Sequence, residues 1–191
     1  MRPAGLVLAA GGGVRFGHPK ALVEYAGEPL VLRAVRMLAA GGCAPVLAVL
    51  GAGAGDVLAA VELPRAVVNP DWRQGMGSSL ARGLAALPPE SAAVVVALAD
   101  QPLVGSEAVL RLIAAWRAGA VAAVATYDGQ HRNPVLLARQ VWPALSAELG
   151  GDAGAGPWLR AHPELVTPVG CDGTGSPVDI DTPEDLLTLE A

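Results

Sequence analysis

A short apolar stretch that runs into glycines constrains the fold of this chain more than any other feature. Residues 5–10 are apolar, and the segment 8–20 continues as Leu-Ala-Ala-Gly-Gly-Gly-Val-Arg-Phe-Gly-His-Pro-Lys. Glycines after a buried strand let the backbone approach a ligand closely, so main-chain N–H groups can converge on anionic oxygens. Arg15 and Lys20 add positive charge to the same loop. The pattern therefore predicts a loop that binds a phosphate-rich ligand.

Two familiar glycine-rich phosphate loops do not match this segment. A Walker loop requires Lys-Ser or Lys-Thr directly after its last glycine, whereas His18 follows Gly17. A dinucleotide fingerprint requires a third glycine where Phe16 stands and an acidic residue at the end of the next strand, where Leu50 stands. The sequence thus disfavours an NAD- or NADP-dependent oxidoreductase, which we keep as an alternative.

Composition narrows the class of protein further. A length of 191 residues suits one domain with a sizeable core. A net charge of −5 argues against general binding to nucleic acid or to anionic membranes. No segment resembles a membrane span or a signal peptide, so we expect a cytoplasmic protein. Cys43 and Cys171 lie far apart, which supports neither a disulfide framework nor a thiolate zinc site.

Apolar segments of strand length alternate with helical patterns. The expected strands are 5–10, 45–50, 65–68, 92–99 and 121–126, and the expected helices are 29–40, 55–61, 78–87 and 106–118. This alternation predicts an α/β domain of three layers, Rossmann-like, with a mostly parallel sheet covered by helices on both faces.

The remainder of the chain is less regular. We expect a polar loop at 127–134, a helix at 138–149, a glycine-rich loop at 150–156, and a final helix capped by Asp181 or Thr182. The single domain 1–191 would then comprise a nucleotide-binding part (1–126), an acceptor or lid region (127–177), and a metal-binding turn with the C-terminal helix (178–191).

Acidic residues follow the predicted sheet at two places. Asp100 comes directly after the apolar strand 92–99, and ligands of open parallel sheets gather at the carboxyl ends of strands. Asp179 and Asp181 lie on the same side of an extended segment. Magnesium prefers oxygen ligands and often uses one or two carboxylates together with substrate phosphates. Helix capping alone is the other interpretation of Asp181, and Asp179 stays undecided.

The segment 8–20 resembles the signature of the MobA-like nucleotidyltransferases, Leu-Ala-Ala-Gly-x-Gly-x-Arg-x-Gly-x-Pro-Lys, in which every fixed letter is matched. Segments 69–80, 100–102 and 179–186 are similar to the molybdenum-cofactor cytidylyltransferase branch of that family. The resemblance extends from end to end of the chain. It implies a fold of the nucleotide-diphospho-sugar transferase type.

The resemblance also implies roles for individual residues. Arg15, Lys20 and Asp100 would be catalytic, and Asp100 and Asp181 would hold Mg²⁺. Ala10 stands where the cytidine-using members have alanine, which favours CTP over GTP. Ser79 follows Gly75 at the expected start of a helix and would meet the base or ribose, with capping as the alternative. The implied nucleotide-binding residues are Leu8, Ala9, Ala10, Gly11, Gly12, Gly13, Arg15, Lys20, Gly75, Ser79 and Asp100.

An acceptor region is implied downstream. The branch pattern places the acceptor near His131, Asn133, Gly151 and Asp152. Gly156 stands where the branch has an arginine, so the contact to a pterin phosphate loses its expected cation. The four tryptophans are expected to be packing residues.

The implied activity is Mg²⁺-dependent transfer of CMP from CTP to a phosphorylated acceptor, the molybdopterin cofactor, with release of pyrophosphate. A recipient molybdoenzyme or chaperone for the product is implied by the family alone. Two alternatives stay open beside the oxidoreductase. One is a transferase of the same fold that acts on a sugar phosphate, methylerythritol phosphate or a small phosphorylated acid. The other is a nucleotide-binding regulatory module without turnover.

Overall fold

A computed structural model describes residues 1–190 of the chain. Within them, nine strands form: β1 (Ala4–Ala9), β2 (Glu24–Tyr25), β3 (Glu28–Pro29), β4 (Val46–Leu50), β5 (Ala66–Val68), β6 (Ala93–Leu98), β7 (Ala122–Tyr127), β8 (Gln130–Ala138) and β9 (Val166–Gly170). The same residues form seven helices: α1 (Leu30–Ala40), α2 (Ala54–Ala60), α3 (Met76–Ala86), α4 (Ser106–Arg117), α5 (Trp142–Glu148), α6 (Gly156–Ala161) and α7 (Pro183–Glu190).

The central sheet of the described residues has the strand order β5-β4-β1-β6-β8-β7-β9. Strands β5, β4, β1 and β6 run parallel, and β8 lies antiparallel between β6 and β7. β1 pairs with β6 in a register that sets Leu8 opposite Leu98. The loop after β1 and the loop after β6 therefore leave the sheet side by side at its carboxyl edge.

Helices cover both faces of this sheet, which confirms the predicted three-layer architecture. Alternate residues of the strands point to opposite faces. On one face, Val7 and Val95 pack with α1 and α4, for example through Leu38 and Leu112. The other face is covered by α3, α5 and α6. Because the strands are buried on both faces, they are continuous apolar segments rather than alternating ones.

The region after residue 126 differs from the prediction. The expected polar loop 127–134 is a β-hairpin, because Asp128 (φ 49°) and Gly129 (φ 72°) both adopt positive φ and turn β7 directly into β8. Asp-Gly is a strong hairpin signal, and the sequence interpretation overlooked it. The expected helix 138–149 is also too long, since Ala138 still belongs to β8 and α5 begins at Trp142. Strand β9 and the small β2–β3 hairpin were likewise not predicted.

The other elements agree with their predicted bounds to within two residues. In the described part of the chain, none of the helices combines the length and the apolar character that a membrane span requires.

Candidate functional site

A cavity of about 600 Å³ opens at the carboxyl edge of the sheet, between the end of β1, the end of β6 and the start of α3. Ala99 N donates a hydrogen bond to Leu8 O (3.1 Å), which holds the two strand ends together beneath it. The predicted nucleotide-binding residues that line this cavity are Leu8, Ala9, Ala10, Gly11, Lys20, Gly75, Ser79 and Asp100.

The glycine-rich loop folds into a tight turn beside the cavity. Phe16 N and Gly17 N both donate hydrogen bonds to Gly13 O, at 2.8 and 3.1 Å. Gly13 has a φ of +58°, and a Cβ at this position would lie 2.1 Å from His18 O, so the turn requires glycine there. Gly12, Gly13 and Arg15 are placed on the loop next to the cavity wall rather than in it, and Arg15 is exposed.

Lys20 links two carboxylates that are distant in sequence. Its Nζ donates hydrogen bonds to Asp100 Oδ2 and to Asp181 Oδ1, each at 2.7 Å. The lysine side chain is only 16% exposed. Partial burial lowers the pKa of Lys20, but the negative charges of Asp100 and Asp181 outweigh burial and raise the pKa above its ordinary value. The ammonium group is therefore charged at neutral pH.

The segment 179–182 is anchored so that Asp181 can face this lysine. Ile180 is fully buried, and Ile180 N donates a hydrogen bond to Asp100 O (2.8 Å). The cap of α7 is built by Thr182 and Asp185: Asp185 N donates to Thr182 Oγ1 (3.2 Å), and Thr182 N donates to Asp185 Oδ2 (2.8 Å). The alternative that Asp181 is a helix cap is therefore wrong, and its carboxylate is available to bind a cation.

Asp179 has a different partner. Its Oδ1 accepts a hydrogen bond from Gln101 Nε2 (2.9 Å). Burial and the nearby charge of Asp100 raise the pKa of Asp179, against the opposing effect of the Gln101 hydrogen bond. This carboxylate lines the neighbouring groove described below rather than the cavity.

The donor set of the cavity suits a divalent cation that arrives with phosphate oxygens. Asp100 and Asp181 already converge on one positive charge, the Lys20 ammonium. Within residues 1–190, no group of three or more His, Cys, Asp or Glu side chains is arranged to hold a metal by itself. Magnesium commonly uses one or two carboxylates and completes its shell with substrate phosphates and water. The pair therefore fits Mg²⁺ or Mn²⁺ as a complex with a polyphosphate.

Ser79 does not open its helix, contrary to the prediction. Helix α3 begins at Met76, which puts Ser79 a full turn inside it. Ser79 is 2% exposed, and its Oγ accepts a hydrogen bond from Asn69 Nδ2 (3.0 Å). The capping alternative for Ser79 is thus wrong, and the residue lines the cavity while its hydroxyl is held by Asn69.

The glycines at the start of α3 bind the loop 150–156. Gly75 has a φ of +103°, and a Cβ at this position would lie 2.2 Å from Gly151 O. Gly77 N donates a hydrogen bond to the same oxygen (3.1 Å). Gly151, which was predicted to contact the acceptor, is thereby placed against α3, and Asp152 lines the cavity. The structure brings neither residue into the groove next to the cavity.

That groove has a volume of about 670 Å³ and lies between the β7–β8 hairpin and α6. Two predicted acceptor residues, His131 and Asn133, line it. Its apolar lining residues include Leu8, Leu80, Val96, Leu98, Val124, Val135 and Leu159. Because Leu8 and Leu98 also line the cavity, the cavity and the groove adjoin.

Two arginines also line the groove, and of these Arg160 was not predicted. Arg132 lies on β8 and Arg160 on α6, and both are exposed. Among the described residues neither forms an ion pair. Arg160 Nη1 lies 3.3 Å from the point where a Cβ of Gly156 would stand. The i to i+4 spacing on a helix brings this cation back over the position where the sequence lacks an arginine.

The cavity is also lined by residues to which the sequence interpretation gave another role or none. Trp72 was expected to be a packing residue, but it lines the cavity, and the guanidinium of Arg73 lies 4.5 Å from the centre of its ring. Met76 lines both the cavity and the groove. The sequence signal that could have identified Trp72 was the presence of an aromatic residue three positions before Gly75.

Comparison with known proteins agrees with this geometry. Residues 5–166 match the family described as the MobA-like NTP transferase domain. The chain is 39% identical to nicotine blue oxidoreductase of Paenarthrobacter nicotinovorans, in an alignment that covers 97% of this chain and 95% of that protein. It is 42% identical to 2-C-methyl-D-erythritol 4-phosphate cytidylyltransferase of Streptomyces coelicolor, over 64% of this chain and 49% of the relative.

Solved structures show the same likeness. The crystal structure of Rv0371c from Mycobacterium tuberculosis superimposes with a TM-score of 0.88 at 29% identity and covers 100% of this chain and 99% of its own. The same protein in complex with manganese gives a TM-score of 0.84 at 28% identity, covering 99% of this chain and 98% of its own. The match over residues 5–166 and these full-length likenesses lead to one conclusion: this chain is a member of the MobA-like NTP transferase family.

Proposed function

We propose that this protein is a Mg²⁺-dependent cytidylyltransferase that moves CMP from CTP to a phosphorylated acceptor, the molybdopterin cofactor. One observation carries the proposal. Two carboxylates from separate parts of the chain, Asp100 and Asp181, meet at a single cation at the wall of a cavity that adjoins a glycine-rich turn. The cytidylyltransferase relative from Streptomyces coelicolor and the manganese complex of Rv0371c support it.

The chain's own residues would mainly position and neutralise the reactants. Asp100 and Asp181 would hold the divalent ion, which when bound supplies charge neutralisation for the phosphate oxygens. The Gly11 backbone and Ser79 would line the nucleoside, while Arg15 and Lys20 would bind the triphosphate. An acceptor phosphate oxygen forms a bond to the α-phosphorus as the bond from that phosphorus to the β-phosphate oxygen breaks, and pyrophosphate leaves.

The groove supports an acceptor that combines a body with hydrogen-bonding groups and an anionic group. Its lining mixes apolar residues with the polar side chains of Gln130, His131 and Asn133. Arg160 and Arg132 supply positive charge at its rim. Because a sugar phosphate would also find hydrogen-bond partners there, a transferase acting on a sugar phosphate or methylerythritol phosphate stays open as the alternative.

A second candidate is an oxidoreductase that binds a nucleotide cofactor in the cavity and its substrate in the groove. The observation that favours it is the 39% identity, over 97% of this chain, to nicotine blue oxidoreductase.

One pair of assays distinguishes the two candidates. The protein is incubated with α-labelled CTP or GTP, Mg²⁺ and the molybdopterin cofactor, and labelled adduct and pyrophosphate are measured. In parallel, oxidation of NADH or NADPH is followed with nicotine blue as the acceptor. We expect CMP transfer with equimolar pyrophosphate, and CTP preferred. Oxidation of NADH or NADPH without a labelled adduct would overturn the proposal in favour of the oxidoreductase.

A further inference from the structure

The position of Lys20 bears on the order in which ligands bind. Its Nζ lies 2.7 Å from one oxygen of Asp100 and 2.7 Å from one oxygen of Asp181. A divalent ion bound by the same two carboxylates would also lie between them, at about 2.1 Å from each oxygen. The ammonium group and a metal ion cannot share this space, and their like charges repel.

We infer that Lys20 is the counter-ion of the two carboxylates in the free protein, and that the metal enters only when a polyphosphate draws the lysine away. The inference rests on the proposed donor site. It assigns to Lys20 a positioning role beyond contact with the triphosphate: the side chain neutralises Asp100 and Asp181 and excludes a metal that arrives alone.

Two further features support this assignment. Ile180 N donates a hydrogen bond to Asp100 O, so the backbones that bear the two carboxylates are joined independently of the lysine. The carboxylates therefore stay close when the ammonium leaves. Lys20 in turn stands on the short helical turn Lys20–Leu22 at the end of the glycine-rich loop, beside the predicted path of the triphosphate. A short movement of its side chain exchanges one anionic partner for another.

The first test measures Mn²⁺ binding in the absence of any nucleotide, by the loss of the free-ion electron paramagnetic resonance signal. Lys20→Met should bind Mn²⁺ at least about tenfold more tightly than the wild type, because the competing charge is gone. Arg15→Met is the matched control. It removes the same charge from the same loop, but Arg15 is exposed and makes no ion pair with Asp100 or Asp181 among the described contacts. Equal Mn²⁺ affinity in Lys20→Met and Arg15→Met would overturn the inference.

The second test observes the wild type, in case Lys20→Met fails to fold. Lys20 is the only lysine in the 191-residue sequence, so ¹³Cε-lysine labelling gives one side-chain NMR signal without assignment. That signal should stay in place when Mg²⁺ is added alone and shift when Mg²⁺ and a non-hydrolysable CTP analogue are added together. A signal that moves fully with Mg²⁺ alone, or that does not move although the analogue and Mg²⁺ are bound, contradicts the exchange.

The outcomes also separate this inference from the proposed function. If Lys20→Met gains Mn²⁺ affinity and wild type shows no CTP response, the counter-ion role stands and the cytidylyltransferase assignment fails. If the wild type binds CTP with Mg²⁺ while its lysine signal is unchanged and Lys20→Met binds Mn²⁺ no more tightly, the assignment stands and the exchange is wrong.

Discussion

The two halves of the sheet's carboxyl edge carry charge in different ways. At the wall of the cavity, Lys20 is paired with Asp100 and Asp181. In the adjoining groove, Arg132 and Arg160 are exposed, and within residues 1–190 they have no acidic partner. A paired charge is held in place before any ligand arrives, whereas an exposed and unpaired arginine is hydrated and stays free to bind an anion. The charges of the cavity are thus preorganised, and those of the groove are not.

The largest expected effect comes from substitution at the cavity. Asp100→Asn keeps the size of the side chain but removes one of the two metal-binding charges, so pyrophosphate release with CTP should fall by about a hundredfold or more. Asp56→Asn on α2, exposed and not among the residues that line the cavity, is the control and should keep wild-type turnover. Undiminished turnover in Asp100→Asn would remove this carboxylate from the reaction.

Substitutions in the glycine-rich turn beside the cavity test how closely that turn is packed. Gly13→Ala should lower the free energy of unfolding by about 2–4 kcal/mol, because positive φ and a collision with the backbone of His18 add together. Gly17→Ala is matched to it: φ is +76° but nothing lies within 4 Å of the new Cβ, so only about 1 kcal/mol of strain is expected. Urea denaturation compares the two variants. Equal losses would mean that the turn is not as closely packed as described.

In the groove, Arg160→Gln should raise the KM for a phosphorylated acceptor by about tenfold and leave CTP binding unchanged, since one charge-assisted contact is lost. Arg117→Gln at the end of α4, on the opposite face of the sheet, provides the control and should change neither value. A loss of CTP affinity in Arg160→Gln would break the distinction between the cavity and the groove.

The smallest effects concern the thiols, which lie outside both sites. Burial raises the pKa of Cys43 to about 12 and also raises the pKa of Cys171. Both thiols should therefore resist Ellman's reagent in the native protein at pH 8 and react fully in denaturant. Thiols of the unfolded chain ionise from about pH 9. The stability that Cys43 contributes is thus present below that pH and is lost as the pH rises towards 12.

How much could be predicted from the sequence also differs between the cavity and the groove. Segments 8–20 and 92–100 were informative because an apolar strand, a glycine-rich loop and an acidic residue are each local signals. Their meeting at one sheet edge follows from parallel strand order. Asp100 and Asp181 were both named as candidate metal ligands, and the structure brings them together at Lys20, although the place of Asp181 depends on a long-range contact.

The groove was harder to predict because its structure depends on strand pairing that hydrophobic periodicity does not reveal. Strand β8 inserts antiparallel between β6 and β7, and its polar first half conceals a strand whose second half is buried. Gly151 was assigned to the acceptor from its place in a motif, yet its carbonyl accepts a hydrogen bond from Gly77 in α3. Arg160 returns over Gly156 only once α6 has formed, so sequence position alone did not identify it.

The most direct test of the central claim, that the cavity binds a nucleoside triphosphate together with a divalent ion at Asp100, is thermal stabilisation by ligands. Wild type and Asp100→Asn are melted with CTP, GTP, ATP, UTP or NADP, each with and without Mg²⁺. A ligand at a hundredfold excess over its Kd stabilises the native state by about 2.7 kcal/mol, a readily measured shift. We predict a CTP-selective shift that requires Mg²⁺ and is lost in Asp100→Asn. A shift with NADP alone, or none with any triphosphate, would contradict the account.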